Sequence, residues 1–177
     1  VDINALQMKK QHLFLLLIVL LQISCEKDDV CPATTQTTPR IVIEFYDIAA
    51  PDEIKAVPGL FAIGLDTNAN EVPIHNELVS TRSSIALPLQ NNSSQTQFKL
   101  YESYNNVDSV ISGNPDTITI TYEIETVYVS RACGYINNYS IQTFSIASDN
   151  DRWMGSSEIL ITTQVTNENE IHVKVLH

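Results

Sequence analysis

Strict alternation of apolar and polar side chains between residues 117 and 125, at the start of a strand predicted over 117–130, constrains the fold more than any other feature of the chain. The apolar positions are Ile118, Ile120, Tyr122 and Ile124, and the polar positions between them are Thr119, Thr121, Glu123 and Glu125. Successive side chains of a strand point to opposite faces of a sheet, so the pattern predicts a strand with one dry and one wet face. Sheets solvated on one side are typical of antiparallel proteins.

Similar short segments recur along the chain, separated by turn residues. We predict further strands over residues 40–47, 60–65, 72–79, 84–89, 95–101, 139–147, 157–165 and 170–176. We also predict turns at residues 91–94, 113–116 and 167–169, and a short helical turn between Pro51 and Gly59. Many short strands with almost no helical periodicity predict an all-β fold, an antiparallel β-sandwich that is Ig-like in general architecture.

The N-terminal part of the chain predicts export from the cytoplasm. Lys9 and Lys10 precede an unbroken apolar run from Leu13 to Leu21. This run is shorter than the roughly 20 apolar residues of a transmembrane helix. A positive start, an apolar middle and the small residue Ser24 before a cut site together predict a helical signal peptide. We expect Met8 to be the true start of the protein.

The end of this leader, Leu21-Gln22-Ile23-Ser24-Cys25, resembles the lipobox of bacterial lipoproteins. In that family the cysteine thiol is acylated, the leader is cut before the cysteine, and the new amino terminus is acylated too. Several acyl chains anchor a protein stably to a membrane. The alternative is an ordinary secretory leader in which Cys25 is incidental.

These features divide the chain into three parts. Residues 1–24 are the predicted signal peptide, residues 25–39 a lipidated N-terminus with a polar, Thr-rich linker, and residues 40–177 a single β-sandwich domain. With no internal repeat and no second linker, the last part has the length of one domain with a hydrophobic core.

Assigning Cys25 to lipid leaves Cys31 and Cys133 as the remaining two of three cysteines. Outside the cytoplasm, two leftover cysteines predict a disulfide, here closing a loop of about 100 residues. The alternative is two free thiols or a metal pair, for which the chain offers no C-x-x-C and no nearby histidine spacing.

Charge indicates which partners to expect. The chain has 21 Asp and Glu residues against 10 Lys and Arg residues, which disfavours nucleic acid as a partner. Lys27, Asp28 and Asp29, just after Cys25, resemble the surface-export signal of Bacteroidota lipoproteins. That resemblance implies an outer-membrane protein facing the cell surface; the alternative is a polar linker on a periplasm-facing protein. The expected partner is the membrane, through the lipid anchor, and the sequence identifies no protein or glycan partner.

Four segments of the chain form a characteristic set: Cys-Glu-Lys-Asp-Asp-Val-Cys from Cys25, Thr-Pro-Arg-Ile-Val-Ile-Glu-Phe-Tyr-Asp from Thr38, Leu-Pro-Leu from Leu87 and Ser-Arg-Ala-Cys-Gly from Ser130. Together they resemble a family of flavobacterial and related Bacteroidota lipoproteins for which no activity is known. The resemblance covers nearly all of the mature chain and implies a surface or periplasmic lipoprotein.

One loop has the oxygen spacing of a calcium site. Asp66, Asn68, Asn70 and Glu77 occupy positions 1, 3, 5 and 12 of an EF-hand-like loop. Position 6 is Glu71, however, where an EF-hand needs glycine. The alternative is a polar hairpin loop, because Asp and Asn favour turns by bonding their own backbone.

No catalytic motif or cofactor-binding loop is present in the sequence, so we expect no cofactor and a non-enzymatic binding or structural role. The competing classes are an envelope hydrolase using His75 or His172, and a glycan-binding module using Trp153 and the tyrosines. We place His172 on the polar phase of the last strand. Ser109 and Thr117 each lie in a short Asp-Ser/Thr-apolar motif that resembles Bacteroidota O-glycosylation sites.

Overall fold

The computed structural model describes residues 30–75, 77–161 and 163–177. The chain divides into two compact units. The larger one comprises Gln36–Tyr128 and Tyr135–His177, and the described part of the smaller one comprises residues 30–35 and 129–134. The described residues contain no helix, and 59% of the structure is strand.

Eleven strands account for the described secondary structure. They are β1 (Ile41–Asp47), β2 (Ala50–Ile54), β3 (Val57–Leu65), β4 (Glu71–Val72), β5 (Ser80–Arg82), β6 (Ser84–Leu87), β7 (Gln95–Val107), β8 (Val110–Ser130), β9 (Gly134–Ile146), β10 (Ser156–Ile159) and β11 (Val173–Leu176). None of the described residues belongs to a helix long and apolar enough to cross a membrane.

The strands form two sheets, which confirms the predicted β-sandwich. The first sheet has the order β10-β11-β1-β2, with β6 beside the first half of β1. The second has the order β4-β3-β7-β8-β9, with β5 beside the start of β3. Among the strand pairs whose register is described, only β1 and β11 run parallel, and the others are antiparallel. In the parallel pair, Ile43 lies opposite Val173 and Phe45 lies opposite Val175.

The core lies between the inner faces of the two sheets. Every second side chain of β1 is fully buried, namely Ile41, Ile43 and Phe45. The same is true of part of β8, where the buried side chains are Ile118, Ile120 and Tyr122. The strand alternation predicted for both segments is therefore confirmed. Two tyrosine rings, Tyr122 and Tyr139, meet edge to face in this core with centroids 5.3 Å apart.

The predicted turn at residues 113–116 is wrong. The chain reverses five residues earlier, at Asp108 and Ser109, and residues 113–116 belong to β8. Gly113 has a φ of 121°, and a Cβ there would lie 2.9 Å from the carbonyl oxygen of Glu102. Gly113 therefore does not form a turn. It lets β8 pass close to β7 at the point where their register shifts, between Glu102 and Asn105.

Three smaller predictions also differ from the structure. The helical turn between Pro51 and Gly59 is absent, because β2 and β3 occupy this segment. Among the described residues between 72 and 79, only Val72 belongs to a strand, at the end of β4. The hairpin predicted at 167–169 is wider: β10 pairs with β11 directly, and residues 163–172 between them contain one isolated bridge, from Val165 to Tyr139, and otherwise no strand. Glu168 in this loop accepts a hydrogen bond from Arg40 Nη2 at 2.6 Å.

Candidate functional site

The two cysteines left after Cys25 form a disulfide. The sulfur atoms of Cys31 and Cys133 lie 2.06 Å apart and the Cα atoms 4.9 Å apart, which confirms the predicted pairing. Cys133 lies in the turn between β8 and β9, where its backbone N–H donates to the Ser130 hydroxyl at 3.0 Å. The proposed lipid attachment residue Cys25 and the export residues 27–29 lie outside the described residues.

The loop proposed for calcium is a tight hairpin turn between β3 and β4. One carboxylate oxygen of Asp66 accepts the backbone N–H groups of Asn68 and Asn70, both at 2.8 Å. The other accepts the Asn70 side-chain amide at 2.9 Å. These bonds, above all the Asn70 side-chain bond, lower the pKa of Asp66. Ala69 completes the turn with a φ of 61°.

Glu77, the fourth proposed calcium ligand, is engaged elsewhere. Its carboxylate accepts a hydrogen bond from the Arg82 guanidinium, and the two form an ion pair. Within the described residues, no group of three or more His, Cys, Asp or Glu side chains is arranged to hold a metal ion. Asp66 thus stabilises a polar hairpin loop through hydrogen bonds within the loop, and Glu77 belongs to a separate ion pair with Arg82.

A shallow cleft of about 230 Å³ lies beside this hairpin. Its apolar wall includes Leu65, Ile74 and Phe98, and exposed His75 lies at its edge. Thr96, on the same wall, accepts the Gln90 N–H at 2.9 Å and shares a 2.6 Å hydrogen bond with the Tyr122 hydroxyl. The cleft is smaller than the roughly 300–1,000 Å³ typical of small-molecule sites.

The prediction that His172 lies on a polar strand face is wrong. His172 is fully buried and accepts the backbone N–H of Val42 at Nδ1, at 2.8 Å. The alternation of β11 does not reach it, because β11 begins at Val173. His177 is also buried, with Nε2 3.2 Å from the carbonyl oxygen of Lys55. The histidine proposed for a hydrolase that remains exposed is His75.

Trp153 packs at the edge of the core and does not form an open platform. Its indole N–H donates to the carbonyl of Leu100 at 3.2 Å, and its ring lies 5.7 Å from the rings of Phe45 and His177. A different aromatic group is formed by Phe61, Tyr101 and Tyr104, of which Tyr101 is buried. The rings of Phe61 and Tyr104 are 4.3 Å apart, beside the ion pair of Lys99 with Glu71.

Asp116 of β8 forms a hydrogen bond with the segment that precedes β10. It is fully buried, and its carboxylate accepts the backbone N–H of Met154 at 2.7 Å. Burial raises the pKa of Asp116, which this hydrogen bond partly offsets. The other carboxylate oxygen, Oδ1, is buried and makes no hydrogen bond within the described residues.

The end of the β7–β8 hairpin, residues 105–113, here called the arm, is an exposed apolar feature of the larger unit. Every arm residue is exposed, including Val107, Val110 and Ile111. The O-glycosylation candidate Ser109 lies at the tip of this arm in an exposed turn, whereas Thr117 lies half-buried within β8. Sequence reasoning missed the arm because it placed the turn at 113–116.

The described part of the chain contains an all-β sandwich and a disulfide between Cys31 and Cys133. A family of unknown function, DUF6452, matches residues 60–177 of the chain. The chain belongs to this family. No curated protein and no solved structure matches it.

Proposed function

We propose that the chain is a lipid-anchored envelope protein of a Gram-negative bacterium, displayed at the cell surface, where it works by binding or as a structural accessory. The observation that carries this proposal is the disulfide between Cys31 and Cys133. Because it occupies two of the three cysteines, Cys25 is left with a separate chemistry, and its position after the apolar leader favours acylation.

The disulfide also supports an exported location. Disulfides persist in oxidising compartments such as the periplasm and the cell surface, and are rare in the cytosol. The leader sequence and the disulfide support export from the cytoplasm independently of each other. The export machinery recognises the leader, whereas the disulfide depends on an oxidising compartment.

A binding role is favoured by the kind of surface that the sandwich exposes. Val107 and Val110 are opposite each other across the arm, and Ile111 lies next to them. Exposed apolar groups on a protruding two-stranded ribbon cost solubility and can contribute to a protein interface. The cleft, in contrast, is small, and hydrogen bonds within the protein engage Thr96 on its wall.

The lipid anchor is tested by replacing Cys25. The full chain is expressed in a Gram-negative host that is fed an alkyne fatty acid. We expect Cys25→Ala to abolish labelling and to leave the precursor uncut, because no thiol remains at the processing site. The matched control is Cys31→Ser with Cys133→Ser, which should keep the label. Unchanged labelling of Cys25→Ala would overturn the proposal.

A further inference from the structure

The end of the β8–β9 hairpin exposes two tyrosines side by side. Tyr128 is 57% exposed and Tyr135 is 68% exposed. Their rings meet at 62° with centroids 5.3 Å apart. Tyrosine pairs an apolar ring with a hydroxyl, which suits a position with one side apolar and one side wet.

The charge pattern around this pair is unlike that of the rest of the chain. The formal net charge of the protein is −11, yet residues 126–148 contain no acidic residue, and Arg131 is their only charged side chain. An anionic lipid surface repels carboxylates at distances below about 10 Å in physiological salt. This end of the hairpin is therefore suited to face such a surface, whereas strands rich in Glu are not.

Connectivity places the pair near the proposed anchor. Tyr135 follows Cys133 by two residues, and Cys133 is bonded to Cys31. Cys31 in turn follows Cys25 by six residues, which span at most about 20 Å when fully extended. The disulfide thus shortens the covalent path from lipid to hairpin from about 100 residues to fewer than ten.

We propose that Tyr128 and Tyr135 rest in the headgroup layer of the membrane that holds the lipid anchor. Tyrosines are enriched at membrane–water interfaces, where the ring and the hydroxyl are both satisfied. The contact would orient the anchored domain at the membrane. This inference rests on the proposed lipidation of Cys25. The competing explanation is a cross-strand aromatic pair that stabilises the hairpin and stays in water.

The test measures how readily each tyrosine is iodinated by lactoperoxidase, an enzyme too large to enter the headgroup layer. Full-length lipidated protein is placed in vesicles of phosphatidylethanolamine and phosphatidylglycerol, and iodinated peptides are quantified by mass spectrometry. Mature Cys25→Ala protein, residues 25–177 without the leader, with the same vesicles is the unanchored comparison. If the pair is covered in four of five molecules, both tyrosines should react about fivefold more slowly in the anchored protein.

Tyr104, near the arm, is the internal control, and its rate should not change. Equal rates for Tyr128 and Tyr135 in the two proteins, with the anchored protein floating with the vesicles, would overturn the membrane contact and leave the anchor intact. Equal slowing of Tyr104 would also overturn it, since the protection would then be general crowding. Failure of the wild-type protein to float would overturn both the contact and the anchor.

Discussion

His172 needs to be neutral for the fold to form as it does. Its Nδ1 accepts the Val42 N–H at 2.8 Å, so this nitrogen carries no proton. Burial lowers the pKa of His172, and the neighbouring charges of Glu170 and Glu168 oppose that effect only in part. Protonation would cost both this hydrogen bond and the solvation of a buried cation.

We expect this histidine to make stability depend on pH. Because the folded pKa is depressed, the unfolded chain takes up a proton first as the pH falls below about 6.5. The contribution of His172 to the free energy of unfolding is therefore complete above that pH. It is lost as the pH falls toward the pKa of His172 in the folded protein, by up to about 1.4 kcal/mol per pH unit. Urea unfolding of wild-type protein and His172→Gln between pH 7.5 and 5 measures it.

His172→Gln keeps an acceptor for Val42 but does not titrate, so the free-energy gap between it and the wild type should narrow as the pH falls. Parallel profiles for wild type and His172→Gln would show that His172 does not control the acid sensitivity.

Burial of His172 could not be recognised from neighbouring residues, and that of Asp116 could be recognised only by extending the alternation of β8. Their partners are distant in sequence: Val42 lies 130 residues from His172, and Met154 lies 38 residues from Asp116. Asp116 does share the phase of Ile118 and Ile120, so extending that alternation by one step would have placed it on the core side. The apparent turn signal at Gly113 and Pro115 interrupted the extension.

At the scale of elements, the long β7–β8 hairpin depends on an unusual turn. Asp108 and Ser109 have φ values of 50° and 66°, and Val107 pairs with Val110 across them. A two-residue hairpin loop with both residues at positive φ favours Asn-Gly or Asp-Gly. Serine has no such preference, which is why the sequence did not indicate the turn.

Ser109→Gly should stabilise this turn by about 0.5–1 kcal/mol, because the strain of a left-handed serine exceeds the extra chain entropy of glycine. Amide hydrogen exchange across Asn105–Ser112 should slow by about two- to fivefold. The matched control is Ser112→Gly, the same change at a strand position whose φ is not positive. It should speed amide exchange, because glycine there adds chain entropy and relieves no strain. Slowing in both variants would contradict the explanation.

At the scale of the whole molecule, local alternation was enough to predict a sandwich. Each strand with one apolar face must bury that face, and two sheets packed together are the simple solution for many short strands. The parallel pairing of β1 with β11 was not predictable in the same way. It joins segments about 130 residues apart, and alternation indicates which face is buried but not the neighbouring strand.

The disulfide, in contrast, was predictable because cysteine chemistry has few options. Once Cys25 is set aside, two cysteines outside the cytoplasm have one intramolecular pairing. The exposed arm and the Tyr128–Tyr135 pair followed only from the structure, since exposure depends on what the sheets leave uncovered.

Surface display makes a prediction about the whole protein. Lys27, Asp28 and Asp29 begin two positions after the proposed lipid attachment site, where transport machinery can reach charged residues before the folded domain. We expect protease added to intact cells to degrade the wild-type protein. The triple variant Lys27→Ala, Asp28→Ala, Asp29→Ala should stay in the membrane fraction and become protected. Glu26→Ala tests whether loss of any charge in the linker is enough, and it should leave the protein exposed. If the triple variant is digested as fast as the wild type, residues 27–29 serve only as a linker.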